Sequence, residues 1–157
     1  MNLKWVVGKS PKQLDENSIK EIKQLFYRET GEEYFEGSIR ALPIQEWDGN
    51  LILIDCENPS RIHGLLWATK FSDERARIVA FAIDRELQGK GLGSMAWNLL
   101  IDACLKDGHT ELQLEVRASN SRAIDFYRKR GLEVIGELKG YYKEGLGLVM
   151  RGRIQSQ

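Results

Sequence analysis

Apolar and polar positions alternate along this chain with two periods, and the period changes from one segment to the next. Leu3 to Val7 is a short apolar run and predicts a first strand. Asp15 to Asn17 lead into a helix, with Ser18 and Glu21 spaced as a capping box. Ile19, Ile22, Leu25 and Phe26 then share one helical face, the stripe of a half-buried helix. A short second helix is expected from Tyr34 to Ala41, stopping before Pro43 because the residue before proline is pushed out of the helical region. Leu51 to Cys56, Ile62 to Thr69 and Arg77 to Ile83 read as the next strands. The Asp48-Gly-Asn turn precedes them, and Glu57-Asn-Pro-Ser is the expected hairpin loop.

A long helix follows, with apolar Leu92, Met95, Ala96, Leu99, Leu100 and Ala103, and ends at Asp107-Gly108. Glu111 to Arg117 alternates, with Leu112, Leu114 and Val116 on one face and Glu115 on the other. Ser119 to Arg130 predicts a helix capped by Ser119 or Ser121. Its C-terminal Arg128, Lys129 and Arg130 suit the negative end of the helix dipole. Leu132 to Leu138 and Leu146 to Arg153 are the last strands, and residues 155–157 read as a frayed tail. The order β-α-α-β-β-β-α-β-α-β-β places antiparallel hairpins around one parallel β-α-β crossover. It predicts an α/β fold with a mixed, mostly antiparallel seven-stranded sheet and helices on both faces.

Composition narrows the class without naming a chemistry. The 157 residues, with no repeat or linker, make one domain, 1–157. A formal net charge of +0 leaves no basic footprint for nucleic acid or an anionic membrane, so neither partner is expected. No apolar run approaches the ~20 residues of a membrane span, and Met1 to Gly8 lacks a signal-peptide core. Cys56 and Cys104 lie in apolar contexts and read as reduced core thiols of a cytoplasmic protein. They and His63 and His109 lack the ligand spacing of a zinc site, so no metal is expected.

The chemistry concentrates where the strand Arg77 to Ile83 turns into the long helix. Gly89, Gly91 and Gly93 leave backbone N–H groups uncovered at a helix N-terminus, where the dipole is positive, a site suited to phosphate or pyrophosphate. A tight strand-to-helix reversal would also use glycine. Gly91-Leu-Gly93-Ser-Met-Ala96 fits the dinucleotide pattern G-x-G-x-x-A. Asp84 to Lys90, however, separate it from the strand that its first glycine should follow directly. Gly8-Lys-Ser10 fails as a P-loop, since Leu3 stands where a glycine belongs and Pro11 interrupts the expected helix.

Gln88-Gly-Lys-Gly-Leu-Gly93, read as Gln/Arg-x-x-Gly-x-Gly, resembles the acetyl-CoA pyrophosphate loop of the GNAT superfamily of N-acetyltransferases. Leu114-Glu-Val-Arg-Ala-Ser-Asn-Ser-Arg-Ala-Ile-Asp-Phe-Tyr127, then Gly131 and the pair Tyr141-Tyr142, resembles one branch of it. That branch is the RimI-type ribosomal-protein N-terminal acetyltransferases and their archaeal relatives. The likeness covers residues 76–153, whereas residues 1–75 match only in their order of elements. It implies the GNAT fold and acetyl-CoA as co-substrate. Gln88, Gly89, Lys90, Gly91, Leu92, Gly93 and Ser94 would hold the pyrophosphate. The backbone of Phe81, Ala82 and Ile83 would pair with the pantetheine arm, and Asn120 would contact it. The resemblance makes Tyr127 the acid that protonates the leaving thiolate and Glu115 the general base, acting through water. Tyr141 and Tyr142 would bind the substrate's N-terminal peptide. By pattern alone, Glu115 is an exposed strand residue, Tyr127 a core residue beside Ala123, Ile124 and Phe126, and Asn120 an N-cap. Tyr141 and Tyr142 are then strand-end aromatics.

A thioester is already activated, so such an enzyme must position it and deprotonate an ammonium. An α-amine titrates at about 7.7–8.0 and a lysine at about 10.4, so the lysine demands more of the site. A phenol is mostly protonated at neutral pH and can give its proton to a thiolate. Glu29, Glu32, Glu33, Tyr34, Phe35 and Glu36 follow the first helix, in the region that borders the acceptor groove in the superfamily. With Glu33 and Tyr34 as substrate contacts, they are expected to form a negative rim that draws in a cationic acceptor. A solvated acidic face is the plainer alternative. The run Tyr27 to Glu36 departs from the Pro/Trp-containing segment usual there, which leaves the acceptor open. The expected activity is acetyl transfer to a protein N-terminal α-amine by direct attack on the thioester. A polyamine or lysine acetyltransferase, or a non-catalytic acyl-CoA-binding regulator, are the alternatives; retention of Tyr127 and Glu115 speaks against the regulator.

Overall fold

The computed structural model describes residues 1–142 and 145–154; the expected tail at 155–157 lies outside them. In chain order the elements are β1 (Leu3–Val7), α1 (Glu16–Thr30), α2 (Glu36–Arg40), β2 (Leu51–Asp55), β3 (Asn58–Lys70) and β4 (Arg75–Ile83). They continue with α3 (Leu92–Lys106), β5 (Glu111–Arg117), α4 (Ser121–Arg128), β6 (Glu133–Leu138) and β7 (Gly147–Arg153). One sheet of seven strands runs in the order β1-β2-β3-β4-β5-β7-β6. Its neighbours are antiparallel except β4 and β5, the parallel pair that α3 connects. The expected seven-stranded mixed sheet is therefore the observed one.

Alternation along the strands sorts side chains into two cores. Leu53, Leu66, Ile78, Leu112 and Leu114 pack against Ala96, Leu100 and Ile124 of α3 and α4. On the other face Ile52, Leu65 and Trp67 pack against Ile19, Ile22 and Phe26 of α1. The α3 stripe is shifted from the expected one: Trp97, Ile101 and Cys104 are buried, while Met95 and Leu99 face solvent. The indole N–H of Trp5 donates to the Leu92 carbonyl at 2.9 Å, which ties the first turn of α3 to β1.

Several local expectations are corrected. The cap of α1 is Asp15, whose carboxylate accepts from the Ser18 amide at 2.7 Å. The Ser18–Glu21 capping box does not form, because Glu21 instead receives the Ile62 amide and the Arg61 guanidinium of β3. Asn120 caps α4 in place of either serine, accepting from the Ala123 amide at 3.2 Å. The β2–β3 hairpin turns at Cys56-Glu57, and β3 begins at Asn58. Register shifts near Leu53 to Asp55 bulge out the stretch that holds Pro59, a residue with no ladder N–H to lose. Cys56 is thus exposed at a turn and is not a core thiol, whereas Cys104 is buried.

The feature that positions the site is a bulge in β4. Trp67 pairs with Ala80 and Ala68 with Ile78, so Val79 is the extra residue. β4 and β5 pair from Arg75–Glu111 to Ile78–Leu114, and their pairing ends there, although β4 runs on to Ile83 and β5 to Arg117. The two strands therefore part in the middle of the sheet.

The segment after α4 meets β7 through a close backbone contact, level with the end where β4 and β5 stay paired. Gly152 of β7 lies against the Gly131 carbonyl, and a Cβ there would run into that group. Gly152→Ala should therefore destabilise the fold by about 1–3 kcal/mol through overpacking against an unyielding backbone. The urea midpoint should fall with m unchanged; an unshifted midpoint would show that the junction gives way freely.

Candidate active site

The parted strands open into a cleft of about 580 Å³. Phe81, Ala82 and Ile83 line one wall, the loop of Gln88, Gly89, Gly91, Gly93 and Ser94 closes one end, and Asn120 and Tyr127 of the α4 segment form the other wall. Lys90 and Leu92 are not among the lining residues. Lys90 is exposed beside the cleft, and the Leu92 side chain is buried in the core, so Leu92 could serve a ligand only through its backbone.

The loop fits a phosphate by its backbone. Gly91 is the N-cap of α3 with φ 84° and no side-chain cap, and Gly89 has φ 78°, conformations that favour glycine. A Cβ on Gly91 would meet nothing, so the space above it is open. Gly93 differs, since a Cβ there would make ordinary contact with Phe126 and Ile83. Asn120 spends its Oδ1 on the α4 cap, which leaves its amide donors for the cleft. Tyr127 is 8% exposed and packs on Trp97 and Phe126 with ring centroids 5.9 and 5.5 Å away. Burial pushes its phenol well above the ordinary value, so it is a neutral donor at any physiological pH.

Beyond Tyr127 lies a second cluster. The two oxygens of Glu115 each accept from Arg77 Nε at 3.0 Å, and Arg77 Nη2 donates to the Tyr141 hydroxyl at 3.3 Å. Tyr141 and Tyr142 meet edge to face at 4.9 Å, and the Arg117 guanidinium lies 4.9 Å from the Tyr142 ring centroid. Arg117 also pairs with Glu32, and Glu32 accepts from the Tyr34 hydroxyl at 3.0 Å. The structure thus brings Glu115, Tyr34, Tyr141 and Tyr142 into one network, with Tyr142 within electrostatic reach of both Tyr127 and Glu115.

The expected negative rim is not what this segment forms. Glu29 binds the Arg85 amide at 3.2 Å and Gln88 at 3.1 Å, Glu32 is paired with Arg117, and Glu36 lies 3.6 Å from Arg40. Glu33 stays outside the network, exposed beside Lys23, Tyr27 and Arg28. Glu29 and Glu32 serve as braces because folding brings the Arg85 amide, Gln88 and Arg117 to them, while Glu36 faces Arg40 one turn on in its own helix. Sequence reasoning missed Arg77 and Arg117, and it placed Glu32 in a free rim and not in an ion pair. The available signal was parity: Arg77 and Glu115 lie on the same face of neighbouring strands.

Comparison with known proteins bears on the family and the fold. A family model described as "Acetyltransferase (GNAT) family" matches residues 18–132. Mycothiol acetyltransferase of Mycolicibacterium vanbaalenii is 30% identical over 118 residues, which are 70% of this chain and 39% of that protein. Ribosomal protein bS18-alanine N-acetyltransferase of Salmonella typhimurium is 36% identical over 74 residues, 47% of this chain and 50% of that protein. The matched stretches therefore span half or less of these two relatives' length. The crystal structure of Ard1 from Thermoplasma volcanium shares the fold with a TM-score of 0.81. It is 24% identical, with 99% of this chain and 100% of that one covered.

The tyrosines give a pH test. Burial, and then the hydrogen bond to Glu32, raises Tyr34 from 10.0 to about 12. Burial, and then Tyr141, raises Tyr142 from 10.0 to about 12. In this window the unfolded chain releases phenolic protons that the folded one retains. Their contribution to stability is therefore complete below pH ~10 and is lost as pH rises towards ~12. Urea midpoints should fall across that window, and less steeply in a Tyr34→Phe, Tyr142→Phe variant. Equal slopes would refute the coupling.

Proposed function

The chain belongs to the acetyltransferase (GNAT) family, whose model matches well over half of it, and from that premise we propose that it transfers an acetyl group from acetyl-CoA to the α-amine of a protein N-terminus. The observation that carries the reading is the placing of Tyr127. It is a buried, neutral phenol that lines the cleft and lies within electrostatic reach of the tyrosine cluster next to it. A molecule held in the cleft and an amine held by the cluster would meet at that side chain.

Acetyl-CoA, when bound, supplies an acyl group already activated as a thioester. The chain's own residues divide the remaining work. The backbone of Gly89 to Ser94 and the N-terminus of α3 receive the pyrophosphate. The open edge of β4 at Phe81 to Ile83 presents backbone groups to the pantetheine arm, with Asn120 opposite. Glu115 accepts the proton of the acceptor ammonium through water; although both its oxygens accept from Arg77, each keeps a further lone-pair site. Tyr127 Oη gives its proton to the departing sulfur.

The acceptor is the less constrained part. Paired phenols that can hydrogen-bond an extended backbone favour a peptide, and an α-amine asks less of a base than a lysine does. A relative named for bS18-alanine supports that choice. A relative named for mycothiol supports a small-molecule amine as the second reading.

Labelled acetyl-CoA offered with a library of N-terminal peptides, spermidine and free lysine tests this. The kcat/KM should favour a peptide with a free α-amine and vanish when that amine is blocked. Spermidine outcompeting every peptide would transfer the assignment to the second reading. Tyr127→Phe should lower kcat on the order of 10²-fold with acetyl-CoA affinity nearly intact. An unchanged kcat would reduce Tyr127 to packing.

A further inference from the structure

Gln88 opens the glycine-loop motif, yet its side chain is committed inside the protein. Its Nε2 donates to the Ile83 carbonyl at 2.8 Å and to Glu29 Oε1 at 3.1 Å, and its Oε1 accepts from Arg122 Nη1 at 3.0 Å. Two acceptors on one side and a guanidinium on the other allow a single orientation of the amide. What Gln88 delivers to the loop is therefore Arg122. This residue lies in the first turn of α4 and lines the cleft. Its Nη2 is 3.9 Å from the position a Cβ on Gly89 would take, so the guanidinium overhangs the loop.

Two nearby arginines are occupied, whereas Arg85, which also lines the cleft, has among the described residues only its backbone N–H donor bonded, to Glu29, and lacks the amide brace that aims Arg122 at the loop. Arg28 pairs with Asp84 at 2.8 Å. Arg130 donates to Ser94 at 2.6 Å and to the Phe126 carbonyl at 3.0 Å, and stacks 3.5 Å from the Phe126 ring centroid. Among the described residues no carboxylate lies within ion-pair distance of Arg122. One of its five N–H donors goes to Gln88, a neutral acceptor, which holds the fork without neutralising it. A guanidinium fixed at one edge, facing uncovered backbone N–H groups across an open space, is the geometry of a two-sided anion clamp.

We propose that Arg122 binds the diphosphate of acetyl-CoA from the side opposite the glycine loop, and that Gln88 is the positioning residue that aims it. This rests on the acetyl-CoA reading above. It assigns the charge-bearing contact to a residue outside the loop motif, and it makes Gln88 a brace rather than a ligand. The diphosphate is preferred to the 3′-phosphate because the guanidinium is held against the loop itself.

Calorimetric titration of acetyl-CoA and its 3′-dephospho form into wild type, Arg122→Gln, Arg122→Lys and Gln88→Ala tests the assignment. Arg122→Gln should weaken both ligands alike, by roughly ten- to a hundredfold. Arg122→Lys, which keeps the charge and loses the fork, should lose less, and Gln88→Ala should fall between wild type and Arg122→Gln. The salt dependence of the dissociation constant should become shallower in Arg122→Gln. Arg122 is exposed, so the melting temperatures of the two ligand-free Arg122 variants should not move. Unchanged affinity for both ligands overturns the proposal, and so does a loss confined to the 3′-phosphorylated one. A wild-type protein that binds neither ligand defeats the acetyl-CoA reading instead.

Discussion

β4 and β5 share backbone pairs only from Arg75–Glu111 to Ile78–Leu114, and the functional side chains gather where that pairing stops. A sheet that opens in its interior leaves N–H and C=O groups facing a gap, which is unfavourable unless something else meets them. The extra residue Val79 makes the opening a built feature, since it turns β4 away from β5 while β3 continues to hold it. Cores on both faces keep the wedge from closing, one under α1 and one under α3 and α4. An extended ligand arm laid along Phe81 to Ile83 would supply the missing partner.

The end of α1 controls both sides of this opening. Arg28 reaches Asp84, which also contacts His63 at 3.0 Å. Glu29 reaches Arg85 and Gln88, and Glu32, just past the helix, reaches Arg117. Each contact is partly exposed, and pairs of this kind contribute about 0–1 kcal/mol apiece. Their significance is geometric. They fasten the glycine loop and the tyrosine cluster to the same helix, so the two halves of the candidate site share one frame.

Tyr127 shows how packing creates chemistry. Trp97 and Phe126 enclose its ring, and the desolvation that keeps the phenol neutral comes from the same contacts that stabilise α4. A residue that is core by its helical spacing thereby also presents a phenol to the cleft. The two readings describe one environment.

Local rules sufficed for much of this protein. The seven strands, the main helices and the parallel crossover follow from periods of two and of three to four residues. The glycine loop was legible because consecutive residues build it: glycines, a strand before them and a helix after them. Contacts between residues far apart in sequence were not legible. The acidic run Glu29 to Glu36 has the composition of a free negative surface, and only folding brings Arg85, Gln88 and Arg117 to it. Ser18 and Glu21 have the spacing of a capping box, yet Glu21 is claimed by β3, because a carboxylate goes to whichever donors surround it most closely. The sequence by itself determined which segments become strands, helices and a glycine-rich turn at a helix N-terminus, since those depend on neighbours within a few residues. The tertiary structure alone decided which charges are spent on one another, where β4 parts from β5, and which arginine hangs over the loop, since charge pairing and strand splay depend on distances across the whole chain.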